Sequence, residues 1–206
     1  VLEAAYNVAT VAGEIPTGYL GDRLGRRNGL VLGTSVIALT LFGIGAAGDA
    51  ADPFPVFLGL YVCWSLGYTF RSGTEDAWLY DSLVDDDTSF SELRGRGESF
   101  ALVSGVVAAV VGGYLGSVDL AYPFYAAAAV TGLGAVILLT VDADRADADD
   151  PADRTTVSAT LETVREAFAD PRLRAFLVLY YVLFSATTYL AFIFLQPRFE
   201  AVAGGY

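Results

Sequence analysis

The chain has 206 residues, of which 54% are hydrophobic and only 17% charged, so charge falls well short of the quarter usual in soluble proteins. Its formal net charge is −12, and that acidity excludes a nucleic-acid partner, which requires clustered cations. Lysine is absent, all twelve cations are arginine, and sixteen Asp stand against eight Glu; acidic, lysine-free loops suit a very salty cytoplasm with a screening length of about 3 Å at 1 M salt, and so point to a halophilic archaeon.

The first element, 1–21, is apolar apart from Glu3 and Glu14. Five windows without any charged residue follow it: 29–48, 54–70, 99–118, 120–141 and 175–197. A helix that crosses a bilayer takes ~20 mostly apolar residues. The pattern therefore describes an all-α polytopic membrane protein with six spans, the third running on through polar residues to Leu83. Val1 follows no basic leader, the chain contains no methionine, and it opens in mid-helix, so a fragment of a longer protein is expected. Cys63 stands alone inside the third span, which leaves no disulfide framework. No metal-ligand spacing, nucleophile elbow or phosphate loop occurs; neither a cofactor nor an enzyme activity is expected.

The six spans leave five connections, which alternate across the membrane. The odd ones (22–28, 85–98 and 142–174) hold ten arginines, whereas the other side holds only Arg198. Arginine placement sets orientation, so these three are expected in the cytoplasm and the protein in the plasma membrane. The fifth connection begins as an acidic linker, "VDADRADADDPADR". It continues as "VSATLETVREAFADP", where Val157, Leu161, Val164 and Phe168 recur at helical spacing. This divides the chain into a bundle over 1–141, an acidic linker with an amphipathic helix over 142–172, and the opening helix of a second bundle over 173–206.

The first connection reads "GYLGDRLGRR". Gly18, Leu20, Asp22, Arg23, Gly25, Arg26 and Arg27 resemble the G-x-L-A-D-R-x-G-R-R signature between the second and third helices of the major facilitator superfamily of transporters, with Gly21 in place of alanine. The location between two spans agrees with the motif. "RSGTEDAWLYDSL" is similar to the cytoplasmic half of that family's fourth helix, and "DPRLRAFLVLYY" to the start of its seventh. The resemblance implies a partial major facilitator fold covering helices 2 to 7, with the other helices of the full-length chain as partners. It also implies transport of a small-molecule substrate by alternating access, and a gating role for the signature loop. Asp22 sits at a helix C-terminus, where the dipole is already negative, so the expected gate is a network of Asp22, Asp81 and the loop arginines.

Ionisable groups inside spans cost ~2.5–3.5 kcal/mol each and mark a pathway or a partner. Trp64, Tyr68, Arg71, Glu75 and Trp78 fall at steps of three and four on one helical face. Glu75 or Asp76 could exchange protons while Arg71 holds an anion or tunes a carboxylate; equally, Arg71 and Glu75 could be a packing ion pair with aromatics filling space. A second stripe runs through Glu3, Asn7, Thr10, Glu14 and Thr17, of which Glu14 is the functional candidate, while Asn7, Thr10 and Thr17 favour burial. In the sixth span, Tyr181, Ser185 and Thr188 could line a cavity. The fifth-helix antiporter pattern of the family is partly echoed by Ser104, Ala108, Ala109, Gly112 and Gly113, but its proline is absent, so the echo does not establish an antiporter; efflux is expected over uptake. The alternative is a membrane sensor that keeps the carrier fold without transport.

Overall fold

The computed structural model describes residues 1–72, 74–75, 78, 90–140, 165 and 168–203, with the backbone alone at Asp22, Asp49, Phe90, Leu177, Val178, Tyr181, Gln196 and Ala203. Among the described residues there is no strand, and helices account for nearly all of them. They are α1 (Leu2–Leu24), α2 (Arg26–Ala46), α3 (Pro53–Arg71), α4 (Phe90–Val118), α5 (Tyr122–Thr140), α6 (Pro171–Phe176) and α7 (Ser185–Ala203). A short 3-10 turn, Ala47–Asp49, closes α2, and a π-helical segment, Leu177–Phe184, joins α6 to α7.

Among the described residues, five helices are long and apolar enough to cross a membrane: Arg26–Ala46, Pro53–Arg71, Ser91–Val118, Tyr122–Thr140 and Val182–Val202. The expected first span is also a helix, 23 residues long, but its acidic and polar positions keep it outside that group. Glu3, Glu14, Asp22 and Arg23 all fall within it.

Helix starts follow local chemistry. Pro53 occupies the first turn of α3, where its missing N–H is no loss. The α4–α5 turn is closed by Asp119, whose Oδ1 accepts from the Ala121 N–H at 2.8 Å. Asp170 does the same for α6, accepting from the Arg172 N–H at 2.8 Å just before Pro171 enters the helix.

Two boundaries differ from the sequence expectation. The third span does not run to Leu83 as one helix: α3 ends at Arg71, and Ser72 turns to φ −54° and ψ 145°. Thr74, Glu75 and Trp78 return to helical backbone beyond that break. Within the expected 85–98 connection, α4 already begins at Phe90. Two ion pairs at i,i+4 support this early turn, Arg94–Glu98 at 3.2 Å and Arg96–Glu92 at 2.6 Å.

The chain divides into two units, Val1–Arg154 and Thr155–Tyr206. In the first, α2 is central, packing on α5 along one side and on α3 along the other, while α1 lies mainly against α3. Ile37, Leu41 and Ala128 form the core, with Trp64, Phe124 and Ala127 packed around them. Two glycines permit the α2–α3 contact: a Cβ on Gly33 would stand 2.7 Å from the Gly67 carbonyl oxygen and 2.9 Å from Phe70 Cβ. Small residues bring membrane helices close in this way, since lipid supplies no hydrophobic drive between them. Helix α4 keeps its apolar side chains exposed and has α5 as its principal neighbour.

In the second unit, Phe176, Tyr180 and Phe184 stack in sequence, with ring centroids 5.2 Å and 5.6 Å apart. The amphipathic helix expected around Val157, Leu161 and Val164 lies outside the described residues. Arg165 and Phe168, near its end, are helical.

Candidate functional site

The signature stretch is not a loop. Gly18 to Leu24 form the last turns of α1, Gly25 alone interrupts the helix, and Arg26 already begins α2. Gly25 adopts φ 85° and ψ 144°, the one positive-φ glycine among the described residues. Only a residue without Cβ takes up that backbone without strain, so a single glycine does the work expected of a seven-residue turn.

The glycines of the motif face different surroundings. A Cβ on Gly21 would meet Thr74 Oγ1 at 3.6 Å, and one on Gly29 would meet Gly21 Cα at 3.6 Å, so these two bring α1 and α2 together. Gly18, by contrast, has nothing within 4 Å of its Cβ position. It lies on the open side of α1 beside exposed Tyr19, Leu20 and Arg23.

The arginines divide in the same way. Arg23 folds back along α1, its guanidinium 4.4 Å from the centre of the Tyr19 ring. Arg27 reaches instead to the end of α5. Its Nε donates to the Leu138 carbonyl at 3.0 Å and its Nη2 to the Leu139 carbonyl. A cation in the first turn of α2 opposes that helix's dipole by about 0.3–1 kcal/mol, whereas at the C-terminal carbonyls of α5 the sign is favourable. Arg26 shares the first turn of α2 and is half-buried. Asp22 lies in the last turn of α1 by its backbone. Asp81 and Asp76 fall outside the described residues.

A second polar group gathers where α3 breaks. Ser72 Oγ stands 3.1 Å and 3.2 Å from the two carboxylate oxygens of Glu14, and 3.4 Å from the Thr69 carbonyl. A hydroxyl carries one proton, so with Glu14 ionised the carboxylate is its acceptor. Arg71 Nη2 pairs with Glu75 Oε2 at 3.1 Å across the break. Glu14, Tyr68 and Glu75 are exposed, while Arg71 and Trp78 are half-buried. The structure thus joins Glu14 to the residue beside Arg71, and Arg71 to Glu75.

The aromatic and threonine positions separate by role. Tyr6 meets Trp64 edge-on at 6.1 Å and Tyr68 at 6.5 Å, tying α1 to α3, and Trp64 also packs against the core. Thr10 Oγ1 lies 3.1 Å from Ser65 Oγ, and Ser65 is fully buried. Thr17 is buried and donates to the Gly13 carbonyl at 2.7 Å. Asn7, Ser185 and Thr188 are exposed. Among the described residues no group of three or more acidic, His or Cys side chains is placed to hold a metal.

Sequence reasoning missed Ser72, Ser65 and the reach of Arg27. The Ser72–Gly73 dipeptide is a turn signal inside an otherwise helical stretch, and could have located the break. Nothing local to Arg27 indicates partners 111 and 112 positions away.

Long apolar helices, glycine-mediated crossings and charged groups concentrated at helix ends define a polytopic helical membrane protein. The Major Facilitator Superfamily model matches residues 1–205, and the chain belongs to that family. It is therefore a multi-pass membrane transporter of the major facilitator type, with a partial all-α fold of that family. Neither the curated proteins nor the solved structures give a significant match.

Proposed function

We propose that the protein is a proton-coupled secondary transporter that exports a small solute by alternating access, and that Glu14 carries the coupling proton. The observation behind this reading is the Glu14–Ser72 contact at the end of α3. An ionisable side chain within a membrane-length helix is expensive and persists where it is used. Glu14 is exposed in the first unit, and its partner is the residue at which the neighbouring helix breaks. Protonation removes the charge that holds the Ser72 hydroxyl, leaving that hydroxyl free to turn to the Thr69 carbonyl. The proton state of α1 would thereby reach the end of α3.

In this reading Tyr68, Arg71, Glu75 and Trp78 supply the polar and aromatic flank of the pathway, with Asp76 as a further carboxylate in the sequence. Arg71 would hold an anionic group of the solute or tune the adjoining carboxylates. Gly18, Asp22, Arg23, Gly25, Arg26 and Arg27, with Asp81, form the gating motif in this reading. The arginine distribution supports a cytoplasmic location for 22–28, 85–98 and 142–174. The acidic, lysine-free composition supports the plasma membrane of a halophilic archaeon, and the long acidic connection supports a bundle over 1–141, a linker over 142–172 and a second bundle opening at 173. The small residues Ser104, Ala108, Ala109, Gly112 and Gly113 on exposed α4 echo the family's antiporter pattern without its proline.

Solute exchange and gradient-driven accumulation, compared in sealed vesicles, test the role of Glu14. Glu14→Gln is expected to retain exchange between equal solute pools while losing accumulation driven by an imposed pH gradient. Accumulation at the wild-type level in Glu14→Gln would refute the assignment.

A further inference from the structure

In the last described turn of α5, Tyr122–Thr140, three carbonyls accept from side chains. Thr140 Oγ1 donates to Ile137 at 2.7 Å, Arg27 Nε to Leu138 at 3.0 Å, and Arg27 Nη2 to Leu139. Arg27 is half-buried, and both its acceptors belong to the same unit, Val1–Arg154. The guanidinium fork suits two neighbouring carbonyls, whereas a lysine ammonium offers only a point charge. On the other side of the motif, Gly18 is open and Arg23 lies over Tyr19 on the exposed face of α1.

We propose that the signature motif is two devices rather than one. Arg27 is a positioning residue that works within the first unit: it clasps the last described turn of α5 to the start of α2. Gly18 and its exposed neighbours belong to the part of the motif that acts on other surfaces. The clasp closes a corner in which the Gly25 break, the first turn of α2 and the last turn of α5 move as one piece. This inference is independent of the solute carried and of the ion that drives it.

Hydrogen–deuterium exchange of the whole protein in lipid nanodiscs tests it, read at the amides of residues 137–140. Arg27→Ala is expected to raise exchange there roughly tenfold. Arg27→Lys, which keeps the charge and hence the membrane orientation, is expected to leave most of that increase in place. Gly18→Ala is expected to exchange like the wild type at these amides. Wild-type exchange in Arg27→Ala would overturn the clasp, and full restoration by Arg27→Lys would show that charge alone matters and overturn the fork. A Gly18→Ala protein that frays α5 as much as Arg27→Ala would overturn the division of the motif. If Arg27→Ala fails to insert, the Arg27→Lys comparison alone decides the matter.

Discussion

Gly33 on α2 and Gly67 on α3 meet backbone to backbone: a Cβ on Gly33 would lie 2.7 Å from the Gly67 carbonyl oxygen, and one on Gly67 would lie 3.0 Å from that of Gly33. A backbone atom cannot rotate away as a side chain can, so the helices must separate to admit a methyl group. Gly33→Ala is expected to destabilise the protein by ~1–3 kcal/mol, as overpacking does elsewhere. Thermal unfolding in detergent micelles checks this. Gly18→Ala, with open space around it, serves as the contrast and is expected to be neutral or slightly stabilising, because alanine favours helix by up to ~1 kcal/mol.

Gly25 carries the whole reversal between α1 and α2 at φ 85°. Gly25→Ala is expected to cost ~1–3 kcal/mol, with the strain confined to that junction. A melting temperature equal to that of the wild type would mean that the two helices join with a different backbone.

The helices were legible in the sequence wherever apolar length alone decides them. Spans 29–48 and 120–141 correspond to α2 and α5 within a few residues, because ~20 uninterrupted apolar residues in a bilayer have few other solutions. Ends governed by single residues were not legible. Gly25 replaces a loop, Ser72 stops α3 early, and the Glu92–Arg96 and Arg94–Glu98 pairs carry α4 outward into what reads as a charged connection. Tertiary partners were hidden for a different reason. Helical periodicity places Glu14, Arg71 and Glu75 on faces, but the contact of Glu14 with Ser72 spans 58 positions and depends on how α1 crosses α3.

Arg71 and Glu75 offer a way to separate packing from function. Their side chains are 40% and 57% exposed and sit at i,i+4, so the pair is expected to contribute only about 0.3–0.5 kcal/mol in a double-mutant cycle. If Arg71 also handles solute or proton, Arg71→Gln lowers transport by tenfold or more while stability hardly moves. Parallel losses of transport and stability would assign the pair to packing.

Ser65 is fully buried and lies 3.1 Å from Thr10 Oγ1 at the α1–α3 contact. Ser65→Ala is expected to cost about 0.6 kcal/mol and at most ~1.7 kcal/mol, the range for hydrogen bonds between membrane helices. Unfolding of Ser65→Ala, Thr10→Val and the double variant measures the coupling, and additive losses would show that the two hydroxyls do not interact.

Proton movement across a sealed membrane tests the central claim most directly. Vesicles holding the reconstituted protein and a trapped pH-sensitive dye are challenged with a panel of small solutes under an imposed pH gradient. The account expects at least one solute to move across the membrane with a matching proton flux in the wild type, and expects that proton flux to disappear in Glu14→Gln with the protein still inserted. A solute that binds but crosses with no proton flux, or does not cross at all, would contradict it.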